Sequence, residues 1–377
     1  MSLYFELGPI RPPSEATSLL LRITRNCTWN KCGFCTSYKD QSFSRRSVEE
    51  IKKDIDTVAK MSQQLREFSQ KNGMNGDIGR EMMENIYNSQ HYELLHVASW
   101  LYYGGQSVFL QDANSIVLKT TDLLEILNYL KKQLPWVKRV TSYGRSDTIL
   151  RKSIEDLVSL RQAGLSRIHV GMESGCNDVL KFIDKGVTAE QHIEAGKRVK
   201  ESGISLSEYV ILGLGGKRWA AEHPLDTARV LNAIDPDFIR LRTLTVIEGS
   251  PLHQKKLLGE FEEQSEVDVA QGERLLIQNL DGINSNVVSD HFRNLLQDVK
   301  GKLPFAKPAM LEVIDSFLSL PERKKQHFIL GRRWGVYHRI DDMKDPVLFS
   351  QVEQALEALE KEGRLAETIA SLKGKRM

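Results

Sequence analysis

Between residue 19 and about residue 250 the chain alternates short unbroken apolar runs with stretches whose apolar positions recur at helical spacing. "SLLLRIT" (18–24) reads as a strand, and "RSVEEIKKDIDTVAKM" as a helix opened by a Ser47–Glu50 capping box. "SVFLQDA" (107–113) is a buried-strand pattern, followed by the helical "TDLLEILNYLKKQL". The strand "VKRVTSY" precedes a helix, "SIEDLVSLRQAG", stopped by Gly164. "SRIHVGME" predicts a strand and "NDVLKFID" a helix. "TAEQHIEAGKRVKESG" predicts a second helix, running from a Thr188–Gln191 capping box to Gly203. "SLSEYVILGLGG" is a strand with a glycine-rich end, "LDTARVLNAI" a helix and "DFIRLRTLTV" a strand. Six βα-like steps in a row predict parallel strands with covering helices and right-handed crossovers, as a partial α/β barrel or an open doubly wound sheet. In either, chemistry collects at the C-terminal ends of the strands.

Two segments leave this rhythm. Residues 61–105 form an insert with a polar, glycine-punctuated middle, "KNGMNGDIGREMMENIYNSQ", and an amphipathic end, "HYELLHVASWLYYGG". A connection this long predicts a small helical subdomain, poised as a lid. Residues 253–377 look helical throughout, in "VDVAQGERLLIQNL", "SDHFRNLLQDV", "PAMLEVIDSFLSL" and "DPVLFSQVEQALEALEKEG". The expected organisation is therefore 1–252 as the barrel and 253–377 as a helical appendage, with a basic, fraying end at "SLKGKRM".

Composition narrows the function classes. The chain has 377 residues, 27% of them charged and 41% hydrophobic, with a net charge of +2. That balance does not argue for nucleic acid or a membrane surface. No apolar run is long enough for a bilayer, and the N-terminus lacks the pattern of a signal peptide, so the expectation is a cytoplasmic protein without membrane insertion. Four cysteines in such a chain are not a disulfide framework.

Three of the four, Cys27, Cys32 and Cys35, fall within "RNCTWNKCGFC", directly after the first predicted strand. Three clustered thiolates suggest a soft metal or an iron–sulfur cluster. A structural zinc site wants a fourth protein ligand, and no second cysteine pair or Cys–His pattern supplies one. An incomplete set fits a [4Fe–4S] cluster with one iron left for another ligand.

"CTWNKCGFC" resembles the cysteine loop of the radical SAM superfamily, with four residues in the first gap where three are commonest. The resemblance implies a partial (β/α)6 barrel whose three cysteines hold a [4Fe–4S] cluster. It implies that the free iron chelates S-adenosylmethionine and that an electron cleaves it to a 5′-deoxyadenosyl radical, which takes hydrogen from a substrate. A reductant such as flavodoxin or ferredoxin would supply the electron. Phe34 stands where the family places an aromatic by the adenine.

"GMESGCNDVLKFIDKG" (171–186) is similar to the branch of coproporphyrinogen dehydrogenases, methylthiotransferases and Elongator-type enzymes. There, Glu173 would contact the cofactor's ribose and Lys185 would approach its carboxylate. The plainer readings are a helix cap for Glu173 and a solvated charge for Lys185. "YVILGLGG" (209–216) resembles the family's adenine-binding segment, with Gly213, Gly215 and Gly216 admitting a flat ring.

The family's second strand usually ends Gly-Gly-Glu, whereas this one ends "FLQDAN". The resemblance therefore leaves Asp112, with Gln111 beside it, for the methionine amine. After the third strand, Ser142 is a further cofactor candidate. Arg145 would face a carboxylate of cofactor or substrate, or else make a surface ion pair.

Cys176 is a hydrogen-atom donor candidate or simply a packed thiol. Asp290 and His291 sit with Asn294 at an expected helix start, as substrate contacts or as an N-cap. "GRRWGVYHR" (331–339) is basic and aromatic enough to stack on a planar ligand. The expected substrate is a small molecule. An RNA substrate, or a non-catalytic iron–sulfur or zinc protein, is the alternative.

Overall fold

Leu19, Leu20 and Leu21 are buried in succession, as a strand covered on both faces must be. They form β1 (Leu19–Arg22) in a computed structural model that describes residues 3–88 and 90–374. A two-residue ribbon, β2 (Thr24–Arg25) with β3 (Ser44–Arg45), flanks the cysteine loop. α1 (Val48–Lys71) opens on the expected box, with the Ser47 and Glu50 side chains each bonded to the other's backbone N–H. It runs ten residues past the start of the expected insert, because Met61 and Leu65 continue its buried stripe.

The rest of the insert is helical, as α2 (Arg80–Asn88) and α3 (Tyr92–Tyr102). Then come β4 (Ser107–Gln111), α4 (Thr120–Gln133), β5 (Arg139–Gly144), the single turn α5 (Ser146–Ile149), α6 (Ile154–Ala163) and β6 (Leu165–Glu173). α7 (Asn177–Phe182), α8 (Ala189–Glu201), β7 (Ser205–Leu212), α9 (Glu222–Ile234) and β8 (Phe238–Thr243) complete the alternation. The Thr188–Gln191 box caps α8 as predicted.

The chain divides into two compact units, residues 1–30, 37–170 and 197–206 in the first, and 31–36, 171–196 and 207–377 in the second. In the first, β1, β4, β5 and β6 lie parallel in that order, with Leu21 opposite Leu110 and Leu110 opposite Ser142. Helices α1, α4 and α6 pack side by side over them. The N-terminal segment is held to this unit by buried polar bonds. Glu15 accepts from Arg139 at 2.6 and 3.0 Å and from Ser18 at 2.6 Å.

In the second unit β7 and β8 lie parallel, and α9 packs on α11 (Glu266–Asn279), which follows the short α10 (Pro251–Leu257). The region after 253 is not helical throughout. β9 (Asn286–Val288) adds to β8 in parallel and pairs antiparallel with β10 (Gly301–Lys302). The "SDHFRNLLQDV" segment forms turns, because side chains take the carbonyls a helix would need. Arg332 donates to the carbonyls of Asn294 and Leu295, Ser289 to that of Leu296, and Gln297 to that of His291. The helices beyond are α12 (Lys307–Leu318), α13 (Glu322–Arg333), α14 (Pro346–Lys361) and α15 (Leu365–Gly374). The last three residues of the basic end expected to fray lie outside the described residues. Among the described residues no helix is long and apolar enough to cross a membrane.

Candidate functional site

The cysteine loop leaves β2 through left-handed turns at Asn26 (φ 68°) and Asn30 (φ 52°), a conformation asparagine tolerates better than most residues. Asn30 N–H donates to the Cys27 sulfur at 3.4 Å, and its side chain reaches the Tyr38 carbonyl. Residues 31–36 belong to the second unit, where Gly33 N–H donates to the Ile183 carbonyl at 2.7 Å and the Gly33 carbonyl accepts from Leu252 N–H at 2.9 Å. Phe34 packs on a buried cluster that includes Cys176, Ile183, Leu214 and Leu252. None of the three loop cysteines is in a disulfide, with Cys32 buried and Cys27 and Cys35 partly exposed. Among the described residues no three His, Cys, Asp or Glu side chains converge as a ready metal site. The donor set fits an iron–sulfur cluster chemically, with three soft thiols on one short loop and none consumed in a disulfide.

Asp112 is fully buried and its carboxylate is engaged on all sides. It accepts from Arg22 Nη2 at 2.8 Å, from Asn26 N–H at 3.2 Å and from the Tyr38 hydroxyl. A cofactor ammonium would have to displace one of these partners. Burial, then the bond to Asp112, pushes the Tyr38 hydroxyl far up, so it stays a donor. Gln111 spends its amide on the N-terminal segment, accepting from Gly8 N–H at 2.8 Å and donating to the Ile10 carbonyl at 2.6 Å. Ser142 is buried, its hydroxyl donating to the Tyr143 carbonyl at 2.9 Å. Arg145 pairs with Asp147 at 2.9 Å and lies over the Trp29 ring.

In the second unit, Glu173 closes β6 with φ 66°, a conformation rare for glutamate. Lys185 is buried and donates to its carboxylate at 3.0 Å. The two groups singled out at opposite ends of the 171–186 segment are therefore one ion pair. Gly171 makes room for it, since a Cβ there would lie 2.2 Å from the Glu173 oxygen. The turn beyond is pinned by Ser174, which donates to His223 Nδ1 at 2.8 Å, while His223 Nε2 donates to the Ile211 carbonyl at 3.0 Å. Burial holds His223 down to about 4, consistent with this neutral tautomer.

Gly213 takes φ 80°, but the space beside the other two glycines is filled by protein. A Cβ on Gly215 would meet the Trp219 carbonyl at 2.8 Å, and one on Gly216 the Phe261 ring at 2.6 Å. Cys176 sits in the apolar cluster, and burial pushes its thiol up. Asp290 pairs with Arg242 at 3.1 Å. His291 is held down to about 4 by burial, then by Arg242 and Arg293. Neither heads a helix, for none forms there. In "GRRWGVYHR" both Arg332 and Arg333 point inward, Arg333 forking onto Glu266 at 2.6 and 2.8 Å, and Trp334 is half exposed.

Sequence reasoning missed Tyr38 and Arg22, which no motif marks, and Glu208, a fully buried β7 carboxyl with one oxygen lacking a hydrogen-bond partner among the described residues. It also passed over Arg240 and Arg242. Their signal was present in "FIRLRT", where charges two residues apart on a strand share a face.

Residues 21–231, more than half of the chain, match the sequence profile of the radical SAM superfamily. The chain belongs to the radical SAM superfamily. It is thus an enzyme, with a [4Fe–4S] cluster and S-adenosylmethionine as cofactors and a fold of the partial (β/α)6 class. The reading as a non-catalytic iron–sulfur or zinc protein falls.

Among curated proteins, the chain is 28% identical over 118 residues to a tRNA uridine(34) acetyltransferase of Methanocaldococcus infernus. That match covers 31% of this chain and 22% of the relative, so the chain spans about a fifth of the length of that protein. Among solved structures, the N-terminally deleted Elp3 of M. infernus aligns with TM-score 0.38 and 18% identity over 45% of this chain and 44% of that one. The cobalamin-dependent radical enzyme OxsB aligns with TM-score 0.48 and 14% identity over 94% of this chain and 58% of that one.

Proposed function

We propose that this radical SAM enzyme abstracts hydrogen from a small-molecule substrate, with Cys27, Cys32 and Cys35 as the three cluster ligands. When bound, the cluster and S-adenosylmethionine supply the 5′-deoxyadenosyl radical that such a reaction needs. The observation that supports the reading most is that the superfamily match encloses three thiols on one loop, none in a disulfide, and the Glu173–Lys185 ion pair at a strand end. On this reading Glu173 accepts from the ribose hydroxyls, and Lys185 turns from Glu173 to the cofactor's carboxylate. Phe34 and Gly213 border the adenine. Asp112, through Asn26, holds the turn that presents Cys27, and an electron comes from a flavodoxin- or ferredoxin-type reductant. Gln111, Ser142 and Arg145 are further cofactor contacts on this reading.

A second reading, an RNA substrate, is favoured by the similarity to tRNA uridine(34) acetyltransferases. The near-neutral charge favours the small molecule.

Cys27→Ala, Cys32→Ala and Cys35→Ala are each expected to lose cluster iron after anaerobic reconstitution, and with it reductive cleavage of S-adenosylmethionine. Iron and sulfide analysis with detection of 5′-deoxyadenosine reads this out. Full cleavage by any one variant would remove that cysteine from the ligand set.

A further inference from the structure

β8 carries two arginines on one face, Arg240 and Arg242, with Tyr209 opposite Arg240 on the neighbouring β7. Burying one guanidinium is costly, and burying two side by side more so, unless anions accompany them. Here the side chains of Arg240 and Arg242 are only 5% and 13% exposed. Among the described residues the one carboxylate paired with them is Asp290, 3.1 Å from Arg242 and 3.7 Å from Arg240, and itself 43% exposed. Arg240 Nε donates to the Ser207 hydroxyl at 3.1 Å. The Arg242 guanidinium lies over the Tyr209 ring at 5.0 Å, and its Nη2 is buried without a hydrogen-bond partner among the described residues. Arg293 adds a third positive group near His291. Arg242 Nη1 also donates to the Leu241 carbonyl at 2.7 Å, so one buried and one partly buried positive charge face one half-solvated negative charge, with one guanidinium nitrogen left idle. A guanidinium fork in that state is matched by an oxyanion that takes two N–H bonds.

We propose that Arg240 and Arg242, with Asp290 as a displaceable guard, form a binding site for the phosphate or carboxylate group of a small-molecule substrate. The proposal deepens the small-molecule reading above and rests on it for the identification of that ligand as substrate. Asp290 occupies the fork in the free protein and swings out, through its solvent-exposed side, when the oxyanion enters.

The test uses the full-length protein without cluster reconstitution, so its outcome is independent of cluster assembly and cofactor cleavage. Inorganic phosphate and malonate are titrated separately by calorimetry. Saturable binding of phosphate alone assigns a phosphate ester, and of malonate alone a carboxylate. Arg242→Gln is expected to weaken that binding by at least about tenfold. Asp290→Asn keeps the side-chain shape while removing the competing negative charge and is expected to tighten it about threefold or more. Three results would overturn the proposal. One is no binding of either anion, and another is affinity unchanged in Asp290→Asn. The third is a site that S-adenosylmethionine or a short single-stranded RNA occupies in competition with the anion, which would assign it to the cofactor or to a nucleic-acid backbone.

Discussion

Glu173 carries two unusual features at once. Its backbone is left-handed, a region that costs a side chain of this kind of order 1 kcal/mol or more. Its carboxylate folds back over Gly171 to Lys185 rather than reaching solvent. A turn that only needed to close a strand would be served by glycine or asparagine, so the carboxylate is the part that calls for explanation. If it accepts from ribose hydroxyls, Glu173→Ala should weaken S-adenosylmethionine binding to the reconstituted enzyme by about tenfold or more, roughly 1.4 kcal/mol. Glu173→Gln, which keeps the acceptor oxygen, should recover most of that loss. Equilibrium dialysis distinguishes the cases, and unchanged affinity in the alanine variant would return Glu173 to a purely structural turn.

Among the elements, α13 illustrates where pattern reading stops. The alternation up to residue 243 was legible because each strand and helix is specified by its own buried stripe, as with Leu19–Leu21 or Met61 and Leu65 of α1. The cysteine loop and the Glu173 turn were legible as motifs, but the ion pair joining Glu173 to Lys185 and the partners that engage Asp112 were not. Those partners are scattered from Arg22 to Tyr38 and are gathered only by folding. The turns at 290–299 were misread for a related reason. Their apolar positions, Leu295, Leu296 and Val299, suit a helix, but Arg332, more than thirty residues later, claims the carbonyls. Arg332→Met should therefore strand several buried acceptors at about 1–3 kcal/mol each. Trp334→Ala on the half-exposed neighbour should stay within about 0.5 kcal/mol. Urea unfolding measures both, and equal effects would show that the 290–299 turns hold without Arg332.

The molecule as a whole buries titratable groups of opposite sense, and their sum sets its response to pH. His96 accepts Leu20 N–H at its Nε2 and is held down to about 4 by burial, as is His223. Both stay neutral in the folded state. Their contributions are complete above the unfolded value near 6.5 and fade as pH falls from there to about 4. Glu273 is buried with one oxygen unpartnered among the described residues, and burial pushes it up to about 8. Glu208 is likewise pushed well up, by burial first and then by the charge of Glu173. These carboxyls remain protonated when folded, whereas the unfolded chain releases their protons near 4.5. Their contribution is lost as pH rises from there through 8. Between pH 4.5 and 6.5 the two slopes oppose each other. Above 6.5 only the carboxyl slope remains, at about 1.4 kcal/mol per pH unit for each group. Stability from urea unfolding should accordingly decline from pH 6.5 to 8, and Glu273→Gln should flatten that decline and be the more stable protein at pH 8. A wild-type profile level across that interval would mean that Glu273 is ionised in the fold despite its burial.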